Sequence, residues 1–216
     1  MFIEHISDTH GKMFSCHRKN SILIHSGDMF PNLMNGFKGD EIRFQKDWVI
    51  KNISLFPKEF LYTLGNHDFI DPFELEEIFN SHGIKAICLH DKVVSYYGMK
   101  FYGFPYIPII QGRWNYECVI AEMQKHVDRL VEHLGEIDVI VAHAPLYGFL
   151  DISYTHGCAG SMATNIGNST LLNALNYNEN KVRYYLHGHE HNNTGIAMFN
   201  NILISNAATS RNFIQI

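Results

Sequence analysis

Residues of the types that commonly bind metal ions occur in five short clusters along the 216-residue sequence. Each cluster combines histidine, aspartate or asparagine with a glycine or another small or turn-forming residue. In chain order the clusters are Asp8-Thr9-His10, Gly27-Asp28, Gly65-Asn66-His67-Asp68, His143-Ala144-Pro145 and Gly188-His189-Glu190-His191. Mixed nitrogen and oxygen donors without thiolates suit Mn, Fe, Zn, Ni or Co rather than calcium. These residue types therefore indicate metal-assisted chemistry.

Each cluster follows an apolar run that predicts a short buried strand. The five runs are residues 1–7, 21–25, 59–64, 138–142 and 182–186. In α/β sheets, ligands gather beyond the carboxyl ends of the strands, so five such ends can meet at one place. Taken singly, most of these clusters are better explained by a turn or a structural histidine. The five together, in this order, favour one metal centre.

The remaining pattern predicts a layered α/β domain with mixed sheets, extending over residues 1–216. Further strands are predicted at 85–89, 93–97, 100–104, 195–199 and 202–205, the last four as two hairpins. Helices are predicted at 115–134, from Asp71-Pro72 to about residue 80, and from Asn168-Ser169 onward. Residues 145–168 are predicted to form a long connection, a length typical of functional loops.

Composition and charge exclude several classes of protein. Hydrophobic residues make up 46% and charged residues 18% of the chain, which argues against disorder. No apolar run is long enough for a membrane span, and the N-terminus lacks the pattern of a secretory signal. Four widely separated cysteines suggest free thiols, so we expect a cytoplasmic protein. A net charge of −5 without a basic cluster argues against a dedicated nucleic-acid groove.

The ordered clusters D-x-H, G-D, G-N-H-D, H and G-H-x-H resemble those of the calcineurin-like metallophosphoesterase superfamily. Their surroundings are most similar to the MPPED-type branch of small phosphodiesterases, through Ser7-Asp8-Thr9-His10, Ala144-Pro145-Leu146 and Gly157-Cys158. The resemblance implies an α/β/β/α sandwich of two mostly mixed sheets flanked by helices. The arginine that protein phosphatases carry just after G-D is replaced here by Met29-Phe30-Pro31-Asn32, which argues against a phosphoprotein substrate.

The resemblance also implies a pair of divalent metal ions and assigns their ligands. Asp8, His10 and His191 would hold the first ion. Asn66, His143 and His189 would hold the second, and Asp28 would bridge both. We expect Mn, with Fe, Zn, Ni or Co as alternatives. Such a pair lowers the pKa of a bound water from about 15.7 toward about 7, which provides hydroxide for attack on phosphorus.

His67 is the candidate general acid that protonates the leaving oxygen, with Asp68 orienting its imidazole. A different role, as a hydrogen-bonding partner of the metal ligands, explains the position of His67 equally well. Tyr147, His156, Gly157 and Cys158 are candidate substrate contacts in the 145–168 segment. Its aromatic rings could stack on a nucleobase or could pack the segment onto the body.

The predicted function is a phosphodiesterase that hydrolyses a small, possibly cyclic, nucleotide. A phosphomonoesterase or a DNA or RNA nuclease on the same metal site is the alternative. A non-catalytic scaffold is disfavoured because every metal ligand of the pattern is present.

Overall fold

The computed structural model consists of two β-sheets packed face to face between outer helices. It describes residues 1–33, 37–157 and 160–216, and for residues 155–157, 160 and 161 it describes the backbone alone. The described strands are β1 (Phe2–Ile6), β2 (Ser21–Ser26), β3 (Glu59–Thr63), β4 (Lys85–Cys88), β5 (Val93–Tyr96), β6 (Met99–Phe104), β7 (Ile107–Pro108), β8 (Glu117–Cys118), β9 (Val139–Ala142), β10 (Ile152–Gly157), β11 (Gly160–Asn165), β12 (Tyr184–His187), β13 (Gly195–Phe199), β14 (Ile202–Asn206) and β15 (Arg211–Gln215). The described helices are α1 (Lys38–Asn52), α2 (Pro72–Ser81), α3 (Ile120–Val131) and α4 (Ser169–Tyr177), with a 3₁₀ turn at Ile53–Leu55.

Both large sheets are mixed, as the sequence predicted. The first has the order β15-β1-β2-β3-β4, in which β1 to β4 are parallel and β15 runs antiparallel to β1. The second has the order β13-β14-β12-β9-β6-β5, with parallel strands at its centre and an antiparallel strand at each edge. The parallel strands end at a common edge in each sheet, which is where the metal-binding clusters follow.

Side chains along the central strands point alternately into the core between the two sheets and into a core between a sheet and its outer helices. In β9, Val139 and Val141 belong to the cluster between the two sheets, whereas Ile140 and Ala142 face α3 and α4. The first sheet packs its other face against α1 and α2. Because the central strands are covered on both faces, they form continuous apolar runs in the sequence. This arrangement confirms the predicted α/β/β/α sandwich.

Several elements differ from the prediction. The helix predicted at 115–134 begins only at Ile120, because Glu117–Cys118 forms the short strand β8 beside β7. The predicted 145–168 connection contains the hairpin of β10 and β11. The sequence did not predict β15, nor α1, whose buried face presents Glu41 and Gln45 beside Val49. Polar residues on that face remove the hydrophobic periodicity by which helices are recognised.

None of the described helices has the length and apolar character needed to span a membrane.

Candidate metal centre

The five predicted clusters lie at the carboxyl ends of five parallel strands, three of them in one sheet and two in the other. Asp8 follows β1, Asp28 follows β2 and Asn66 follows β3, all in the first sheet. His143 follows β9 and His189 follows β12 in the second sheet. The two sheets face each other, so the two sets of strand ends meet across their shared edge.

One group of possible ligands is formed by Asp8, His10 and His191, whose ligand atoms lie within 4.8 Å of one another. His191 Nε2 is 3.0 Å from Asp8 Oδ1. The imidazole rings of His10 and His191 have centroids 5.6 Å apart. This group has the composition that the resemblance implied for the first ion.

A second group is formed by Asp8, Asp28 and His143, again within 4.8 Å. His143 Nε2 lies 3.4 Å from Asp28 Oδ2 and 3.0 Å from Asn66 Oδ1. The His189 ring lies beside it, with its centroid 5.0 Å from that of His143. Asp28 Oδ2 is also 4.0 Å from His10 Nε2, so Asp28 lies between histidines of both groups. The structure therefore brings all seven predicted ligands together.

Hydrogen bonds to the atoms that do not face the centre orient the candidate ligands. His143 Nδ1 lies 2.9 Å from the carbonyl oxygen of Ser26, which accepts its proton and directs Nε2 into the centre. Such a bond sets the tautomer of a metal-binding histidine. The backbone N–H of His189 donates to Asp8 Oδ2 at 2.9 Å, and that of His67 donates to Asp28 Oδ1 at 2.7 Å. Each aspartate therefore keeps its other oxygen for the centre.

The backbone is strained where it carries these side chains. Asp8, His10, Asp28 and His189 have φ angles of 53°, 45°, 56° and 70°. This left-handed region is sparsely populated by residues other than glycine, and such strain concentrates at functional sites. The strained geometry makes the chain turn directly out of each strand and present the side chain to the centre.

Two glycines allow the chain to approach the aspartates closely. A Cβ atom on Gly188 would lie 2.1 Å from Asp8 Oδ2, and one on Gly65 would lie 2.3 Å from Asp28 Oδ1. Any larger residue would displace the carboxylates, so the chain segments that pass against Asp8 and Asp28 require glycine at both positions.

Electrostatics couples the aspartates to the histidines. Burial alone would raise the pKa of Asp28, but the charge and hydrogen bond of His143 hold it below its usual range. Burial alone would lower the pKa of His143, yet Asp28 and Asp8 raise it to about 9. The two carboxylates thus stabilise a cation at His143 Nε2. A divalent ion at that place would satisfy the same charges, so the donor set fits a metal site.

His67 lies next to this centre. Its ring centroid is 5.3 Å from that of His10, and its Nδ1 is 2.8 Å from Asn32 Oδ1. The Asn32 amide nitrogen donates to the carbonyl oxygen of His67 at 2.8 Å, so Asn32 Oδ1 accepts the Nδ1 proton. This leaves Nε2 for the substrate side. Burial lowers the pKa of His67, opposed in part by Asp28.

The carboxylate of Asp68 makes its described hydrogen bonds to the backbone and not to the His67 imidazole that it was predicted to orient. These bonds come from the N–H groups of Met29 (2.8 Å), Phe30 (3.1 Å) and Gly65 (2.9 Å). Asp68 therefore joins two ligand-bearing loops, and Asn32 orients the His67 imidazole in its place. The carboxylate turns toward these N–H groups because they would otherwise be buried without acceptors. Burial and the charge of Asp28 raise the pKa of Asp68 to about 7.

Sequence reasoning missed two further residues beside His67. Trp114 packs against its ring in a tilted arrangement, with centroids 4.1 Å apart and ring planes at 38°. Gln45 of α1 donates to the His67 carbonyl oxygen at 2.7 Å and accepts from the Phe69 N–H at 2.7 Å. A glutamine among the inward-facing residues of α1 was the sequence feature that could have pointed to Gln45. No sequence feature pointed to Trp114, because its contact with His67 depends on the tertiary fold.

A cleft of about 630 Å³ opens beside the centre. Tyr147, a predicted substrate contact, lines it together with His189, Ile109, Ile110, Ser153 and Thr164. Of the other predicted contacts, Cys158 and the side chain of His156 lie outside the described residues, and Gly157 is described only as the last residue of β10.

Comparison with known proteins agrees with this architecture. One solved crystal structure aligns with 96% of this chain and 90% of its own, at a TM-score of 0.60 and 12% identity. The crystal structure of TT1561 of Thermus thermophilus aligns with 96% of this chain and 88% of its own, at a TM-score of 0.51 and 11% identity. At such identities the likeness concerns the fold alone. No match is found among the curated proteins. The sequence model of the family described as calcineurin-like phosphoesterase matches residues 3–193, and the chain therefore belongs to that family.

Proposed function

We propose that the protein is a metal-dependent phosphodiesterase that acts on a small organic phosphate, with nucleotides as the first candidates. The observation that carries this proposal is the convergence of seven histidine, aspartate and asparagine side chains at the meeting edges of two sheets. Membership of the calcineurin-like phosphoesterase family supports hydrolysis of a phosphoester as the reaction. The resemblance of the motif surroundings to the MPPED-type branch favours a diester.

In this proposal Asp8, His10 and His191 would hold one divalent ion. Asn66, His143 and His189 would hold the other, with Asp28 as a shared ligand. The mixed donor set suits transition metals, of which Mn²⁺ is the first to test. When bound, such a pair supplies an activated water and neutralises charge on the phosphate. Two divalent cations with two aspartates form a positive centre in a protein whose formal net charge is −5.

The chain's own residues would orient the substrate and move the proton. His67 directs Nε2 toward the substrate because Asn32 holds Nδ1. As an imidazolium, His67 would carry a proton on Nε2 that it can donate to the leaving oxygen. Trp114 packs against the ring at 4.1 Å between centroids, which would restrict its rotation.

A panel of substrates tests the proposal. Metal-free protein is loaded in turn with Mn²⁺, Fe²⁺, Zn²⁺, Ni²⁺ or Co²⁺ and assayed with bis-p-nitrophenyl phosphate, p-nitrophenyl phosphate, cyclic nucleotides and a DNA oligonucleotide. We expect turnover of the diester and of at least one cyclic nucleotide. Turnover of the monoester alone would make the protein a phosphomonoesterase, and absence of turnover with every metal would refute the proposal.

A further inference from the structure

We propose that the 630 Å³ cleft beside His189 binds the organic substituent of the phosphoester and that this substituent is uncharged. The inference rests on the proposed function, because it places the phosphate at the metal centre. It adds the chemical class of the group attached to that phosphate.

The position of the cleft is the first argument. His189 is both a candidate metal ligand and part of the cleft wall. A phosphate held at the centre would therefore have its substituent next to the cleft. The volume lies within the range of about 300–1,000 Å³ that is typical of small-molecule sites.

One wall of the cleft is apolar. Ile109 and Ile110 line it, and these two residues are 53% and 52% exposed. Backbone N–H groups of Ile110, Gln111 and Trp114 donate to the Glu117 carboxylate at 2.7, 2.7 and 2.8 Å. The exposed isoleucines are therefore presented by a segment of fixed shape, a feature that favours a preformed binding surface over a solvated loop.

Another part of the described lining is polar without positive charge. Ser153 and Thr164 are paired across β10 and β11, so their side chains share the face that lines the cleft. None of the described residues that line the cleft is a lysine or an arginine. The buried Glu190 contributes a carboxylate, which accepts hydrogen bonds from the N–H and the side-chain amide of Asn192 at 2.8 Å each. The described lining therefore offers no lysine or arginine side chain to pair with an anionic substituent.

The test compares diesters that share a p-nitrophenyl leaving group and differ in the other substituent, which is methyl, phenyl or 4-carboxyphenyl. With Mn²⁺-loaded protein we expect kcat/KM to be about 10-fold higher for phenyl than for methyl, as expected for apolar contacts in a pocket. The 4-carboxyphenyl ester should lose that advantage. Ile110→Ser should reduce the ratio of phenyl to methyl toward one, whereas Ile120→Ser, at a site 82% exposed outside the cleft, should leave it unchanged.

A binding measurement separates this inference from the proposed function. Calorimetry with phenylphosphonate and methylphosphonate reports on the cleft whether or not the protein turns over a diester. Tighter binding of phenylphosphonate, lost in Ile110→Ser, would support the cleft even if no ester is hydrolysed. Equal binding of the two phosphonates, or a preference for the 4-carboxyphenyl ester over the phenyl ester, would overturn it.

Discussion

Asp8 and Asp28 each divide their two carboxylate oxygens between the backbone and the histidines. Oδ2 of Asp8 accepts the His189 N–H, while Oδ1 faces His191. Oδ1 of Asp28 accepts the His67 N–H, while Oδ2 faces His143. Since one oxygen is fixed by a loop, the other is held in place for a cation.

Asp28→Asn keeps the shape of this residue and removes its charge. We expect metal content to fall and kcat/KM for the diester to drop by at least about 100-fold, because even supporting residues of metal sites cost 10- to 100-fold. Metal analysis and kinetics provide the measurement, and Asp128→Asn on the exposed side of α3 is the matched control. Unchanged metal content and rate in Asp28→Asn would contradict the assignment.

His67→Ala tests the proton donor. It should retain metal and slow esters with poor leaving groups at least about 100-fold, in the range typical of general acids, while nitrophenyl esters slow much less. Asn32→Ala should show the same dependence on the leaving group to a smaller degree, because it frees the His67 ring. If all esters slow equally in His67→Ala, the residue has a structural role only.

At the level of elements, the junction between each strand and its loop is where the site is built. Gly188 directly follows β12, and its backbone passes against Asp8 of the loop after β1. The contact joins strands of different sheets, so it depends on how the sheets pack. A side chain at this junction has no free space.

Gly188→Ala should therefore displace Asp8 and weaken metal binding. We expect at least about a tenfold loss of metal affinity with retained secondary structure, since disturbed support of a metal ligand costs 10- to 100-fold. Metal titration and circular dichroism measure the two effects. Gly135→Ala is the matched control, because nothing lies within 4 Å of a Cβ atom there. Equal metal affinity in the two variants would show that the position of Gly188 beside Asp8 tolerates a side chain.

For the molecule as a whole, buried histidines make stability depend on pH. His25 is fully buried, and burial lowers its pKa from 6.5 to about 3. The Gly27 N–H donates to its Nδ1, which must therefore be unprotonated. His5 is held between Ser26 and Ser205, and burial lowers its pKa as well. At a pH below 6.5, these histidines therefore stay neutral in the folded state but are protonated in the unfolded chain.

Between pH 6.5 and about 3 the unfolded state binds more protons at His25, so the free energy of unfolding should fall as the solution is acidified. The expected slope is up to about 1.4 kcal/mol per pH unit for each such histidine. Urea unfolding of chelator-treated protein between pH 6.5 and 4.5 measures it. His25→Gln should reduce the slope and the exposed His82→Gln should not. Identical slopes in both variants would refute this role of His25.

Much of the fold and of the site was predictable from the sequence because the signals are local. Central strands covered on both faces appear as apolar runs, and each run ends in a cluster such as Gly65-Asn66-His67-Asp68. The helix α1 was not predictable in this way. Its inward face uses Gln45 to hold the His67 loop, so it lacks an apolar stripe. The boundary of α3 was obscured because residues 115–119 share its spacing by coincidence.

Local sequence was sufficient to establish which side chains can bind metal and at which strand ends they lie, since residue type and periodicity are properties of neighbouring positions. The packing of the fold was needed to establish that Asn32 hydrogen-bonds to the His67 ring and that Ile109 and Ile110 line the same cleft as residues of the β10–β11 hairpin. These contacts join segments far apart in the chain. The packing of the two sheets determines which residues meet in these contacts. A pattern of neighbouring residues in the sequence does not predict that packing.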